Sequence, residues 1–193
     1  MARVRAVDIP GVDRAALDQG GRVNMGVAGI MAQRPEMASA AAAFSAAVLH
    51  TGSLPRRLTE LLRLRIAFHN QCRSCMAIRY RDAIDDGVTE DLVCSLEKPE
   101  EAPDLTPAER AALRFADLFA TDHLAIDDGV YDDLRQHFTE GELVEIGMNC
   151  ALDVGIGRLA ATWHVTDDLS DEYKHGDGEV LAPWGPSAPL VVS

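Results

Sequence analysis

Apolar residues along this chain recur at intervals of three and four, the spacing of one face of an α-helix. Behind Pro55 the pattern reads Leu58, Leu61, Leu62 and Ile66, with arginines between them. Pro35 opens an alanine-rich helix over Glu36 to His50, and Gly52 stands where a C-terminal cap belongs. Helical periodicity continues from Cys72 to Asp86 and stops at Gly87, and Thr89 is placed to cap a short helix through Leu96. The stretch "KPEEAPDLTP" is polar and proline-containing, which predicts a loop. Thr106 with Glu109 forms a capping box with Pro107 at the first helical position, predicting a helix to about Thr121. A shorter helix covers Gly129 to Phe138, and a second box, Thr139 with Glu142, opens a long apolar helix to about His164.

No run of β-branched residues alternates with polar ones, so the expected class is all-α, in one domain. The boundaries read as an N-terminal segment over 1–33, a helical domain over 34–165 and a Gly/Pro-rich tail over 166–193. From Ser170 onward the tail is expected to be extended, with Trp184 and Leu190 able to dock it onto the body.

Charge narrows the partners. With 18 basic and 31 acidic residues the net charge is −13, a field that repels nucleic acid and anionic membrane, so neither is an expected partner. Glu145, Asn149, Asp153 and Arg158 interrupt the most apolar stretch, Leu143 to Ala161, which therefore reads as a core helix rather than a membrane span. The N-terminus has charges without an apolar run behind them, so the expected compartment is the reducing cytoplasm. Structural disulfides are rare there, and a Cys-x-x-Cys pair becomes a candidate for transient chemistry or metal.

That pair is Cys72 and Cys75, with Glu60 twelve residues before the first. Cysteine reacts as its thiolate, so a useful one needs a lowered pKa or a nearby base, and a second thiol to resolve the oxidised product. On a continuous helix Arg79 would lie one turn beyond Cys75 and favour its thiolate. Glu60 can act on the sulfurs only if the chain bends between them, and "HNQ" at 69–71 offers that bend. His69 is near enough in sequence to contribute an imidazole or a metal bond. A structural zinc would need two further ligands, and the sequence holds neither a second Cys-x-x-Cys nor a His-x3-5-His, so no metal is expected. Cys94 and Cys150 each stand alone in apolar surroundings and read as packing residues. Glu145, Asn149 and Asp153 form a polar stripe on the last helix, suited to a cavity, an interface or internal pairing. Gly155 and Gly157 suit a close helix approach.

Glu60, eleven residues, then Cys72-Arg-Ser-Cys75 in an all-helical setting resembles the AhpD-like alkylhydroperoxidases of the carboxymuconolactone decarboxylase superfamily. The resemblance covers about 34–165, with "ELVEIGMNCALDVGIGRLAATWHV" matching the long closing helix. It implies a thiol peroxidase without cofactor, reducing a hydroperoxide and recharged by a thiol or dithiol reductant protein. Cys75 would attack the peroxide, Cys72 would resolve the sulfenic acid, and Glu60 would begin a proton relay. It also implies a symmetric homo-oligomer, a trimer or hexamer. The family's relay has histidines at the positions held here by Ser74 and Arg79. Arginine stays protonated at any usable pH, so it can hold a thiolate but cannot shuttle protons. The alternatives on this fold are a carboxymuconolactone-decarboxylase-like enzyme without redox chemistry and a non-catalytic binding protein.

Overall fold

A computed structural model describes residues 2–174, 180–184 and 189–193. Its centre is α3 (Arg56–Asn70), in which Leu61, Leu62, Leu64 and Ile66 are fully buried. Burial of each such side chain contributes about 1.5–3 kcal/mol. The helix is buried on nearly every side, so its arginines cannot simply face water. Each takes an acidic partner: Arg56 with Asp82, Arg57 with Glu109, Arg63 with Glu60, and Arg65 with Asp117. A charge withdrawn from water is tolerated only with such a partner.

Around α3 pack α7 (Pro107–Thr121) and α9 (Glu140–Thr162), both started by the expected capping boxes. α8 (Asp128–Arg135) lies between them in sequence, and α2 (Pro35–His50) lies against α9. α9 runs beside α3 in the same direction. Glu145 accepts the backbone N–H groups of Ser53 and Leu54 just ahead of α3, at 2.7 and 3.1 Å. At the other end the Asn70 amide donates to the Asp153 carbonyl at 2.9 Å. A Cβ on Gly157 would stand 2.5 Å from the Asn70 amide nitrogen, so glycine is what lets the two helices close here. Gly155, by contrast, faces open space.

Three expectations are corrected. A helix absent from the sequence reading, α1 (Gln19–Met31), forms in the N-terminal segment. Its glycines weaken helix propensity, yet Gly26 lies where a Cβ would meet Val165 at 2.6 Å, so packing against the body requires it. The predicted continuous helix from Cys72 to Asp86 is broken into α4 (Arg73–Ala77), the strand β1 (Ile78–Tyr80) and α5 (Arg81–Asp85). The break exists because β1 pairs in parallel with β2 (Leu190–Val192), Ile78 opposite Leu190. The all-α class thus stands with one two-stranded exception. Finally, Cys94, at the end of α6 (Glu90–Cys94), is exposed rather than packed; Cys150 is buried as expected.

The described part of the tail docks on the body. Trp184 packs on Phe68 with ring centroids 4.8 Å apart, and α10 (Asp171–Lys174) lies against α4. The expectation of an extended tail falls in part on residues 175–179 and 185–188, outside the described residues. No helix among the described residues is long and apolar enough to cross a membrane.

Candidate functional site

The bend anticipated at "HNQ" is real. α3 ends at Asn70, and Gln71 adopts the left-handed conformation at φ 50°. Its side-chain amide secures that turn, donating to the carbonyls of Phe68 (2.6 Å) and Leu181 (3.0 Å) and accepting from the Leu181 N–H. Cys72 then caps α4, its sulfur accepting from the Cys75 N–H at 3.3 Å. Cys72 and Cys75 are joined as a disulfide with Cα atoms 5.2 Å apart. Cys72 is fully buried and Cys75 is partly exposed, so an incoming molecule meets Cys75 first. The Ser74 hydroxyl sits 3.6 Å from the Cys72 sulfur.

Glu60 is not a surface residue; it is 1% exposed. Arg63 forks onto both of its carboxylate oxygens, at 2.6 and 2.7 Å. The same guanidinium donates to the carbonyl oxygens of Cys75 (2.7 Å) and Ile78 (3.0 Å) and lies over the Tyr80 ring at 5.1 Å. Glu60 is therefore tied to the Cys75 backbone through one cation. Burial opposes charge on Arg63, but Glu60 overcomes it and holds the guanidinium more firmly protonated than usual. Burial also raises the Tyr80 hydroxyl, which donates to Asn24 at 3.0 Å.

Asp153 completes the group from α9. Its carboxyl makes no hydrogen bond among the described residues. Burial pushes it up to about 7; Arg63 and Arg56 pull it down, and the charge of Glu60 adds to the rise. One turn back along both helices, Arg56, Thr59 and Asn149 line a polar cavity of about 300 Å³ with His50, Asp82 and Glu145.

Two expected site residues turn elsewhere. Because β1 interrupts the helix, Arg79 no longer lies one turn beyond Cys75. Its guanidinium is 1% exposed and is committed to Glu90 (2.9 and 3.1 Å) and to the carbonyls of Met76, Ile78 and Pro183. His69 Nε2 meets Asp117 Oδ1 at 2.6 Å, in a cluster with Arg65. Burial alone would raise Asp117, but its bonds to His69 and Arg65 hold it below the ordinary carboxylate range. The residues the structure does add are Arg63, Tyr80 and Asp153. The sequence held a signal for the first, three residues after Glu60 and so one turn away. Asp153 belonged to the polar stripe on the last helix. Tyr80 carried no signal. Among the described residues no three His, Cys, Asp or Glu side chains converge as a metal-ligand set.

Residues 35–118, which include Glu60, both cysteines and Arg63, match the model of the carboxymuconolactone decarboxylase family. That match runs from α2 into α7, and over it the chain is similar to the carboxymuconolactone decarboxylase family. It is 35% identical over 105 residues to the uncharacterized protein Rv2313c of Mycobacterium tuberculosis, covering 53% of this chain and 36% of that one. The chain thus spans little more than a third of this curated relative. The uncharacterized protein YdfG of Bacillus subtilis is 27% identical over 95 residues, covering 49% of this chain and 65% of that one. In fold, the chain is similar to an uncharacterized peroxidase-related protein from Ralstonia eutropha described as an alkylhydroperoxidase AhpD core. The TM-score is 0.62 at 21% identity, over 95% of this chain and 99% of that one. It is also similar to ATU0492 of Agrobacterium tumefaciens, a protein of unknown function for which an AhpD role in antioxidant defence has been suggested. There the TM-score is 0.61 at 24% identity, over 69% of this chain and 92% of that one.

Proposed function

We propose that the chain is a thiol peroxidase of the reducing cytoplasm that reduces hydroperoxides through Cys75 and Cys72. The observation carrying this reading is the pair itself: two sulfurs at bonding distance at the head of a short helix, one buried and one open to an incoming molecule. The Cys75 thiolate attacks the terminal peroxide oxygen; an S–O bond forms, the O–O bond breaks, and the departing alkoxide takes a proton to become an alcohol. The Cys72 thiol then attacks the Cys75 sulfenic acid, forming the disulfide and releasing water. A dithiol reductant protein returns both cysteines to thiols by exchange. Glu60 and Arg63 hold the loop carrying Cys75, and in this reading Glu60 begins the proton relay. His69 and Arg79 act in this reading as fold residues.

A homo-oligomer, a trimer or hexamer, is part of the proposal. Val144, Met148 and Leu159 lie exposed along one side of α9, with Ala151 and Gly155 between them, and Met37 is exposed on α2. A continuous apolar stripe of this kind suits a second copy of the chain.

Peroxide consumption and peptide mapping of reduced protein test the reading. The expected result is stoichiometric loss of hydroperoxide with a Cys72–Cys75 link. Cys75→Ser should abolish consumption, and Cys72→Ser should leave a sulfenic acid that dimedone traps on Cys75. Both thiols remaining free with no peroxide consumed would end the peroxidase reading. Turnover of a lactone with both cysteines blocked would favour the decarboxylase alternative, and neither activity would favour a binding protein.

A further inference from the structure

We propose that Gln71 is a positioning residue for the Cys72–Cys75 pair: it clamps the backbone of Leu181, and docking of the tail thereby favours the disulfide. This rests on the peroxidase reading for the use made of the couple, not for the coupling itself. Gln71 is where α3 turns into the cysteine loop, and it stands in the left-handed region at φ 50°. The Cys72 N–H reaches back to the Ala67 carbonyl at 3.1 Å, closing a helix end at which glycine or asparagine is usual. A longer side chain persists in that conformation only where its surroundings hold it there. Here the tail supplies the hold. The Gln71 amide donates to the Leu181 carbonyl at 3.0 Å and accepts from the Leu181 N–H at 2.9 Å, pairing both polar groups of one residue's backbone. Its donation to the Phe68 carbonyl at 2.6 Å keeps the same amide over its own turn.

The tail also grips the loop between and beyond the sulfurs. Arg73, between the cysteines, donates to the Tyr173 and Lys174 carbonyls at 3.1 and 2.9 Å. Arg79 donates to the Pro183 carbonyl at 2.7 Å, and β1 pairs with β2 from Ile78 to Tyr80. Trp184, next to Pro183, is seated on Phe68 in the last turn of α3. The loop is thus held before, between and after its cysteines by residues of the tail. A disulfide requires both sulfurs in one geometry and two thiols do not, so a loop already fixed forms the bond at a smaller loss of entropy. Docking therefore stabilises the oxidised pair, and by reciprocity the disulfide stabilises docking. Releasing the clamp moves the balance toward the two thiols.

The test equilibrates the full chain with glutathione redox buffers, in which the protein disulfide and two glutathiones exchange for two protein thiols and one glutathione disulfide. Acid quenching, alkylation and mass spectrometry read the ratio. Gln71→Gly keeps the turn, since glycine takes a positive φ freely, and removes the clamp. Its equilibrium should move about five- to tenfold toward the thiols, which is about 20–30 mV at roughly 30 mV per tenfold. Leu134→Ala, in the core on α8, lowers stability by leaving a cavity and should leave the redox equilibrium unchanged. A Gln71→Gly constant within about twofold of wild type, or an equal shift in Leu134→Ala, would overturn the proposal. Hydrogen exchange on the wild type gives an answer even if the variant does not fold. Peptides covering 181–184 and 190–192 should exchange faster in the reduced protein than in the oxidised one, and equal rates would overturn it. No peroxide consumption with this coupling intact would refute the peroxidase reading alone.

Discussion

Replacing Arg63 with methionine separates a site held by one shared cation from a site whose arginines merely decorate a helix. Methionine keeps most of the volume and removes the charge. The structure gives the consequences contact by contact. Glu60, 1% exposed, loses both of its hydrogen bonds from Arg63, and the Cys75 carbonyl loses that donor, while the Ile78 carbonyl keeps Arg79. Leaving a buried carboxylate without its cation costs about 3–5 kcal/mol. For a chain of this length that corresponds to a fall of about 6–20 °C in melting temperature, at roughly 2–4 °C per kcal/mol. Glu60→Gln alone should also destabilise, because it leaves the guanidinium buried without its partner; Glu60 thus serves folding as well as rate. The double variant removes both charges, and it should be more stable than the sum of the two single losses by about 1–3 kcal/mol. Urea titrations of the four proteins measure all of this. An Arg63→Met loss below about 1 kcal/mol, of the size seen for exposed pairs, would refute the reasoning, as would strict additivity in the cycle.

Two further outcomes follow from the same geometry. Asp153 has an ordinary carboxyl pKa near 3.8 when unfolded and about 7 when folded, so the folded state binds more protons between those values and stability falls as pH rises through them. From pH 5 to pH 8 only about two units of that span are crossed, so allowing for the partial exposure of Asp153 the loss is about 1–2.5 kcal/mol, read as a falling urea midpoint that Asp153→Asn flattens. Arg79→Ala should cost about 1–3 kcal/mol for each of the Met76 and Pro183 carbonyls it leaves without that donor, while Cys75 in the folded fraction keeps its wild-type alkylation profile; an upward-shifted thiol would put Arg79 back beside the sulfur.

Much of the architecture was legible because capping is local chemistry. Thr106 with Glu109 and Thr139 with Glu142 announce their helices within four residues, and both boxes close as expected. The bend after His69 was readable for the same reason. What stayed hidden depends on residues distant in sequence. Nothing near Ile78 reveals that Leu190 will pair with it, and that pairing ends α4 and removes Arg79 from the Cys75 face. Helix α1 was hidden by its glycines; the purpose of Gly26 appears only against Val165. Asp153 was visible as a polar residue on an apolar helix, but the charges that change its proton affinity come from α3.

The placement of α3 explains why chemistry and stability cannot be separated cleanly in this chain. Its leucines fill the core while its arginines, facing other directions, must each find an acid. Three of the four find partners on other segments, and those pairs fasten α5 and α7 to it. Arg63 alone is matched from within the helix, by Glu60, and that leaves its remaining donors free for the loop that carries Cys75. The cation that steadies the cysteine is thus available because its counterion is one turn away rather than across the fold. Moving the acid elsewhere, as in Glu60→Gln with a new carboxylate on a facing helix, would draw the guanidinium off the Cys75 carbonyl even if total charge were conserved. The site depends on where the pair sits as much as on which residues form it.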